Sequence, residues 1–224
     1  MATTIVIGSD SGVGFEVAKR FGKGGQRIVL VSRNQVKLDA ATEKLTDLGI
    51  IATNYVCDVN DFQALESMMQ DLTKDDNDIA NLIFNVGDKH LDDPLSSDIE
   101  LIEKIFKTNV ASAIVAAKAF IQDTDSKTKR AIIFTGGGAA IRPSVKASTL
   151  SLTKAALRSY AYTLHEQVAD QDIYVGLVTI QGSIGTSVEM QPRMIAETYW
   201  QMLNKRDAVE AFYPEHVEGS EFDH

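Results

Sequence analysis

The sequence predicts an α/β fold, a doubly wound parallel sheet with helices on both faces. Three observations carry that expectation. A β-branched segment, Thr3 to Ile7, runs straight into Gly8, Ser9, Asp10, Ser11, Gly12, Val13 and Gly14. Next, Val13, Val17 and Phe21 recur every fourth residue, with Phe15 and Ala18 alongside, as the apolar face of a helix from about Gly12 to Phe21. Finally, apolar runs without alternation keep returning between helical stretches, as strands buried on both faces require. A strand, a glycine turn and a helix in that order aim unpaired N–H groups and the positive helix end at one spot. Glycines without side chains let a phosphate come close there. A tight structural βα turn is the plainer reading of the same triplet.

Residues 1–224 read as a single domain, because 224 residues at 44% hydrophobic content can bury one substantial core and no linker divides them. The net charge of −9 argues against nucleic acid phosphates or anionic lipid as partners. No apolar run approaches the ~18 residues that span a bilayer, and no basic region leads a long apolar stretch at the N-terminus. The single cysteine, Cys57, rules out an internal disulfide and fits a reducing compartment, so a cytoplasmic location is expected, with no metal site.

The first turn is spaced Gly-x-x-x-Gly-x-Gly, not Gly-x-Gly-x-x-Gly. On that spacing the chain resembles the short-chain dehydrogenase/reductase family, whose fold is a Rossmann-like dinucleotide-binding sheet. Arg27 to Val31 is the second strand, closed by Ser32, Arg33 and Asn34. The end of the second strand in such folds faces the adenosine ribose, where an acid binds the 2′-hydroxyl of NAD and an arginine accommodates the 2′-phosphate of NADP. Ser32 and Arg33 stand there with no acid, which favours NADP(H) over NAD(H), although Asp10 in the glycine turn opposes a phosphate nearby.

Leu38, Ala41, Leu45 and Leu48 mark a helix face ending at Gly49, and Ile50 to Val56 gives a third strand. In the family an Asp-Val pair at this place holds the adenine ring, and Asp58 and Val59 match it. Asn60, with Gln63 three residues on, reads as the N-cap of a helix that buries Phe62, Leu65, Met69 and Leu72, so Asp58 can instead serve only the helix start. Lys74 to Asp78 is a surface turn. Ile79 to Phe84 is a fourth strand that breaks at Asn85, Val86 and Gly87, resembling the family's cofactor-lining Asn-Asn-Ala-Gly segment at two of its four positions.

Asp98 is expected to cap a long helix carrying Ile99, Ile102, Phe106, Asn109, Val110, Ala113, Ala117 and Phe120. Its second half adds Ala111, Ile114, Val115, Ala116 and Ala119, so it needs cover on two faces. The sheet supplies one cover and a second subunit would supply the other. The resemblance implies the same through homodimers or homotetramers. Asn109 matches the family's structural and proton-relay asparagine, while a hydrogen-bonded helix asparagine of no catalytic consequence fits the residue equally.

Ala131 to Thr135 is a fifth strand that opens into Gly136, Gly137 and Gly138, and a helix follows with Leu152, Ala156, Leu157, Tyr160, Leu164 and Val168. The family places a serine just after this strand, a tyrosine thirteen residues later and a lysine four beyond. Lys154 fits the lysine, and counting back puts Leu150 at the tyrosine and Gly137 at the serine. Tyr174 to Ile180 is a sixth strand. Gln181 to Thr186 resembles the family's Pro-Gly-x-Val-x-Thr segment with Gln181 for proline, so Gly182, Ile184 and Thr186 are implied beside the nicotinamide. Ile195, Tyr199 and Met202 suggest a short helix before a polar tail from Glu215.

The resemblance therefore implies cofactor contacts from Gly8 to Gly14, from Ser32 to Asn34, and at Asp58, Val59, Asn85, Val86, Gly87, Lys154, Gly182, Ile184 and Thr186. Asn109 and Lys154 are its catalytic candidates. In the family the tyrosine hands its proton to a carbonyl as hydride arrives, while the lysine lowers the tyrosine pKa and holds the ribose. A phenol starts near pKa ~10 and leucine has no such proton. Ser148, Thr149 and Ser151 are weaker acids pointing elsewhere. Tyr160 and Tyr162 lie too far along the helix. His90, in the loop after the fourth strand, is either an acid at neutral pH or an exposed loop residue. Two functions stay open. One is an oxidoreductase on a small carbonyl or alcohol whose substrate or a water supplies the proton. The other is a non-catalytic NADP(H)-sensing protein that keeps Lys154 for the ribose.

Overall fold

The computed structural model describes residues 1–76, 78–124 and 129–216. Its strands are β1 (Thr3–Ile7), β2 (Arg27–Ser32), β3 (Ala52–Val56), β4 (Ile79–Phe84), β5 (Arg130–Gly137), β6 (Ile173–Ile180) and β7 (Glu210–Tyr213). They form one sheet in the order β3-β2-β1-β4-β5-β6-β7, parallel at every pairing. Ile7 pairs with Val31 on one side and with Phe84 on the other, so the strand order reverses between β1 and β4. A doubly wound sheet opens a crevice at the C-terminal strand ends beside such a reversal.

Successive side chains of one strand feed opposite layers. Ile5 and Ile7 join the layer covered by α3 (Phe62–Asp75), α5 (Ser112–Asp123) and α6 (Ser148–Gln167). Val6 joins the layer covered by α1 (Gly12–Lys23), α2 (Gln35–Asp47) and α7 (Pro192–Lys205). The two-sided burial of β1, β2, β4, β5 and β6 explains their unbroken apolar runs. α1 and α7 lock edge to face: the Phe21 and Trp200 rings sit 5.4 Å apart, and Arg20 lies over Trp200 while pairing with Glu197.

Caps fall where short polar residues precede helices. Asn34 Oδ1 accepts from Lys37 N, and Asp98 Oδ1 accepts from Glu100 N at the start of α4 (Ile99–Phe106). The expected cap at Asn60 is corrected to Asp61, which accepts from Ala64 N. Asp58 instead accepts from the Asn60 amide and side chain, closing a turn that leaves it at the crevice.

Two further expectations change. The long helix from Asp98 is interrupted at Lys107–Ala111 by a π turn between α4 and α5. Within the chain, α3 packs against α5 and both contribute to one core layer. Ile114, Val115 and Ile121 stay only partly covered. β7 precedes the polar tail as a seventh strand, and the tail beyond residue 216 lies outside the described residues, as does residue 77 in the expected surface turn.

Candidate functional site

The crevice over β1 and β4 is first shaped by backbone. Gly8 has φ +81°, and a Cβ there would lie 2.4 Å from the Asn85 carbonyl oxygen. A Cβ on Gly14 would lie 2.0 Å from the Gly8 oxygen, so glycine lets α1 seat against β1. Gly12, at φ +59°, has open space where a Cβ would project. No side chain caps α1: Ser11 turns its hydroxyl to Asp10 Oδ1 at 2.9 Å. Its first N–H groups therefore face the crevice without a protein side chain, the arrangement that suits an anion.

Two adjoining cavities make up the crevice, of about 690 Å³ and 430 Å³, both bordered by Asn85, Val86, Gly87 and Lys89. The larger opens over β1, β2 and β3. It is bordered by Gly8, Asp10, Ser11, Ser32, Arg33, Asp58 and Val59. Cys57 also borders it, and burial pushes its thiol pKa up to about 11, so it stays protonated at neutral pH. The smaller opens over β5 and β6 and is bordered by Gly12, Val13, Gly137, Leu150, Lys154, Gly182 and Ile184.

Four expected contacts lie off these walls. Ser9 is buried and exchanges hydrogen bonds with the Val31 backbone, while Asn34 is spent on its cap. Gly14 lies beneath Gly8. Thr186 is exposed and donates to the Ser183 carbonyl at 2.7 Å, leaving Ser183 itself on the wall.

The floor of the smaller cavity is a polar network. Lys154 Nζ donates to the Thr135 carbonyl at 2.9 Å. The Thr135 hydroxyl donates to Asn85 Oδ1 at 2.9 Å and sits 2.7 Å from the Tyr199 hydroxyl, and Asn85 Nδ2 donates to the Gly8 carbonyl at 3.0 Å. With the Thr135 proton on Asn85, Tyr199 is the donor to Thr135. Tyr199 is fully buried, and that burial raises its phenol pKa well above the ordinary value, so it holds its proton and acts as a strut. Thr135 and Tyr199 were not singled out from sequence, because one lies within β5 and the other 64 positions away on α7.

Asn109 sits in the π turn, away from the cavity walls. Its Oδ1 accepts from Asp88 N at 2.6 Å, and its Nδ2 donates to the Asp88 carbonyl and to Thr153 Oγ1, each at 3.0 Å. This clamps the loop that carries Lys89. The same loop is pinned to α6 by Asp92, which accepts from Thr149 N at 2.9 Å. Burial pushes the Asp92 carboxyl up, but hydrogen bonds from Thr149 and Ser97 outweigh it and hold the group below its ordinary range. His90 is exposed and off the walls.

At the expected hydroxyl positions the wall is apolar. Leu150 packs with Ala139 and Ala147 beside the cavity. Gly137 is extended, at φ −159° and ψ 149°, and a Cβ there would meet Lys154 carbons at 3.6–3.7 Å, ordinary contact. A serine fits this backbone, so conformation does not account for the glycine.

A family model described as short chain dehydrogenase matches residues 2–194. The human "Dehydrogenase/reductase SDR family member 2, mitochondrial" is 28% identical over 183 residues, covering 81% of this chain and 65% of that protein. The chain thus spans just under two thirds of that relative's length. A "Short-chain dehydrogenase from Sphingobium yanoikuyae in complex with NADPH" superposes with a TM-score of 0.83 at 24% identity, over 97% of this chain and 89% of that one. A dehydrogenase/reductase from Sinorhizobium meliloti 1021 gives 0.87 at 18% identity, over 96% and 95%. Both structural likenesses speak to the fold. The chain belongs to the short-chain dehydrogenase family.

Proposed function

We propose that the protein binds NADP(H) and works as an oxidoreductase on a small carbonyl or alcohol, through a site that lacks the family's tyrosine and serine. The observation that carries this reading is Lys154, whose ammonium borders the smaller cavity above the Thr135 and Asn85 floor. The crevice suits a dinucleotide: two joined cavities for its two halves, and between them a turn where any side chain at Gly8 would strike backbone. The N–H groups at the start of α1 would hold the pyrophosphate, Arg33 the 2′-phosphate, and Asp58 with Val59 the adenine. Asn85, Val86 and Gly87 would line the ribose, Lys154 would bind the nicotinamide ribose, and Gly182 and Ile184, both on the cavity wall, would flank the ring. When bound, the cofactor supplies a hydride. Leu150 has no proton to give, so water or the substrate supplies it while Asn109 holds the loop over the site. Carbonyl reduction should then fall about 10² to 10⁴-fold short of a site with a placed acid.

Leu150, packed against Ala139 and Ala147 where a proton donor is expected, favours a second reading, a sensor of NADP(H) that acts through a partner. Calorimetry with NADPH, followed by its oxidation over a panel of ketones and aldehydes, separates the two. Tight binding with slow turnover supports the oxidoreductase, binding without turnover supports the sensor, and no binding removes both. Among the described residues no helix is long and apolar enough to cross a membrane. The lone buried Cys57 supports a cytoplasmic setting. A homodimer or homotetramer is the proposed assembly, supported by the exposed Ile99 and Phe106 of α4.

A further inference from the structure

The second strand ends without an acid, yet the structure brings one to its end from another element. Asp10, in the turn after β1, accepts a hydrogen bond from Ser32 Oγ at 2.8 Å, and Ser32 in turn accepts from Asn34 N at 3.2 Å. Asp10, Ser11, Ser32 and Arg33 all border the larger cavity. Among the described residues Asp10 makes no ion pair, and its two recorded partners are the hydroxyls of Ser11 and Ser32. Its carboxylate is thus oriented at the end of β2 but not neutralised.

We propose that Asp10 is the specificity residue for the adenosine ribose: it accepts the 2′-hydroxyl of NAD(H) and repels the 2′-phosphate of NADP(H) that Arg33 attracts. The inference rests on the crevice being the dinucleotide site proposed above. A ribose hydroxyl donating to a carboxylate gains a charge-assisted hydrogen bond, whereas a phosphate beside the same carboxylate meets like charge in a partly buried corner. Arg33 and Asp10 therefore pull in opposite directions, and the crevice takes both cofactors with only a small preference. The acid that other dinucleotide folds carry on the strand end is here delivered by the glycine turn, with Ser32 as its bracket.

The test is calorimetric titration of the full chain with NADH and with NADPH, comparing wild type, Asp10→Asn, Arg33→Ala and Ser32→Ala. The wild-type affinities are expected to lie within about tenfold of each other. Asp10→Asn, which keeps the shape and one acceptor oxygen, should shift the ratio toward NADPH by about tenfold, the size of one charge-assisted contact. Arg33→Ala should shift it toward NADH. Ser32→Ala leaves the charge in place and removes only its bracket, so it should move the ratio less than Asp10→Asn does. If Asp10→Asn binds both cofactors at an unchanged ratio, the assignment of Asp10 is overturned while the crevice stands. If wild type binds neither cofactor, the crevice reading fails and Asp10 falls with it.

Discussion

On the β1–β2–β3 side, the crevice is shaped mainly by backbone: a left-handed Gly8, an uncapped helix start and a Gly14 that lets α1 come close. On the β4–β5–β6 side it is shaped by side chains, with Asn85, Thr135, Lys154 and Tyr199 tied in one network beside an apolar Leu150 and a bare Gly137. The difference teaches that holding a nucleotide and reacting with it have separable physical bases. A backbone cradle survives most substitutions around it, whereas an acid is lost with a single side chain.

The largest expected effect restores what the second side lacks. Gly137→Ser with Leu150→Tyr places a phenol one helical turn from Lys154, and the Gly137 backbone accepts a Cβ. NADPH-dependent carbonyl reduction should rise by about 10² to 10⁴-fold, read as nicotinamide absorbance loss over a carbonyl panel. An unchanged rate, with NADPH still bound, would show that more than a placed acid limits the rate at this site.

Breaking the cradle comes next. Gly8→Ala forces a Cβ to 2.4 Å from the Asn85 oxygen at a positive φ, so β1 and β4 must part or the turn must rebuild. A loss of about 3 kcal/mol or more is expected in urea unfolding, with cofactor binding lost in parallel. Tyr199→Phe should do less. It removes the strut beneath Thr135 without opening a cavity, at about 1–2 kcal/mol by the same measurement. Adenosine 5′-monophosphate, a probe of the β2 side alone, should bind that variant as it binds wild type.

Most of the fold was legible because a parallel sheet writes itself as unbroken apolar runs between amphipathic helices, and the β1 glycines have a steric reason visible in their spacing. Glu210–Tyr213 escaped because a four-residue strand that opens on a glutamate offers no apolar run, and only Arg158, Tyr162 and Thr179, distant in sequence, explain how its carboxylate is buried. The π turn escaped because Asn109 breaks no periodicity, and its purpose is to clamp Asp88, a contact made across the fold. Counting back from Lys154 picked out Leu150 and Gly137, and all three border the smaller cavity. The Thr135–Tyr199 strut and the approach of Asp10 to Ser32 depend on three-dimensional juxtaposition and leave no pattern along the chain.

The smallest effect also tests how far the two sides are independent. Glu210 is 2% exposed at its side chain, and burial pushes its carboxyl pKa up. Hydrogen bonds from Arg158, Thr179 and Tyr162 outweigh that and leave it below the ordinary value. A group held lower in the folded than in the unfolded chain adds stability above its unfolded pKa, near ~4.3, and that stability is lost as pH falls through the folded value. Glu210→Gln keeps the acceptor and removes the charge, and Arg158 is 37% exposed, so solvent screens the pair and the cost at pH 7 should be about 1 kcal/mol. That is a drop in Tm of about 2–4 °C for a chain of this size. The difference from wild type should stay flat from pH 7 to about 5 and close below about 4. A gap that persists at pH 3 would mean that Glu210 acts through packing and not charge. Because β7, β6 and α6 lie across the sheet from β2, binding of adenosine 5′-monophosphate should be the same in both proteins, and a change there would join the two sides that the geometry keeps apart.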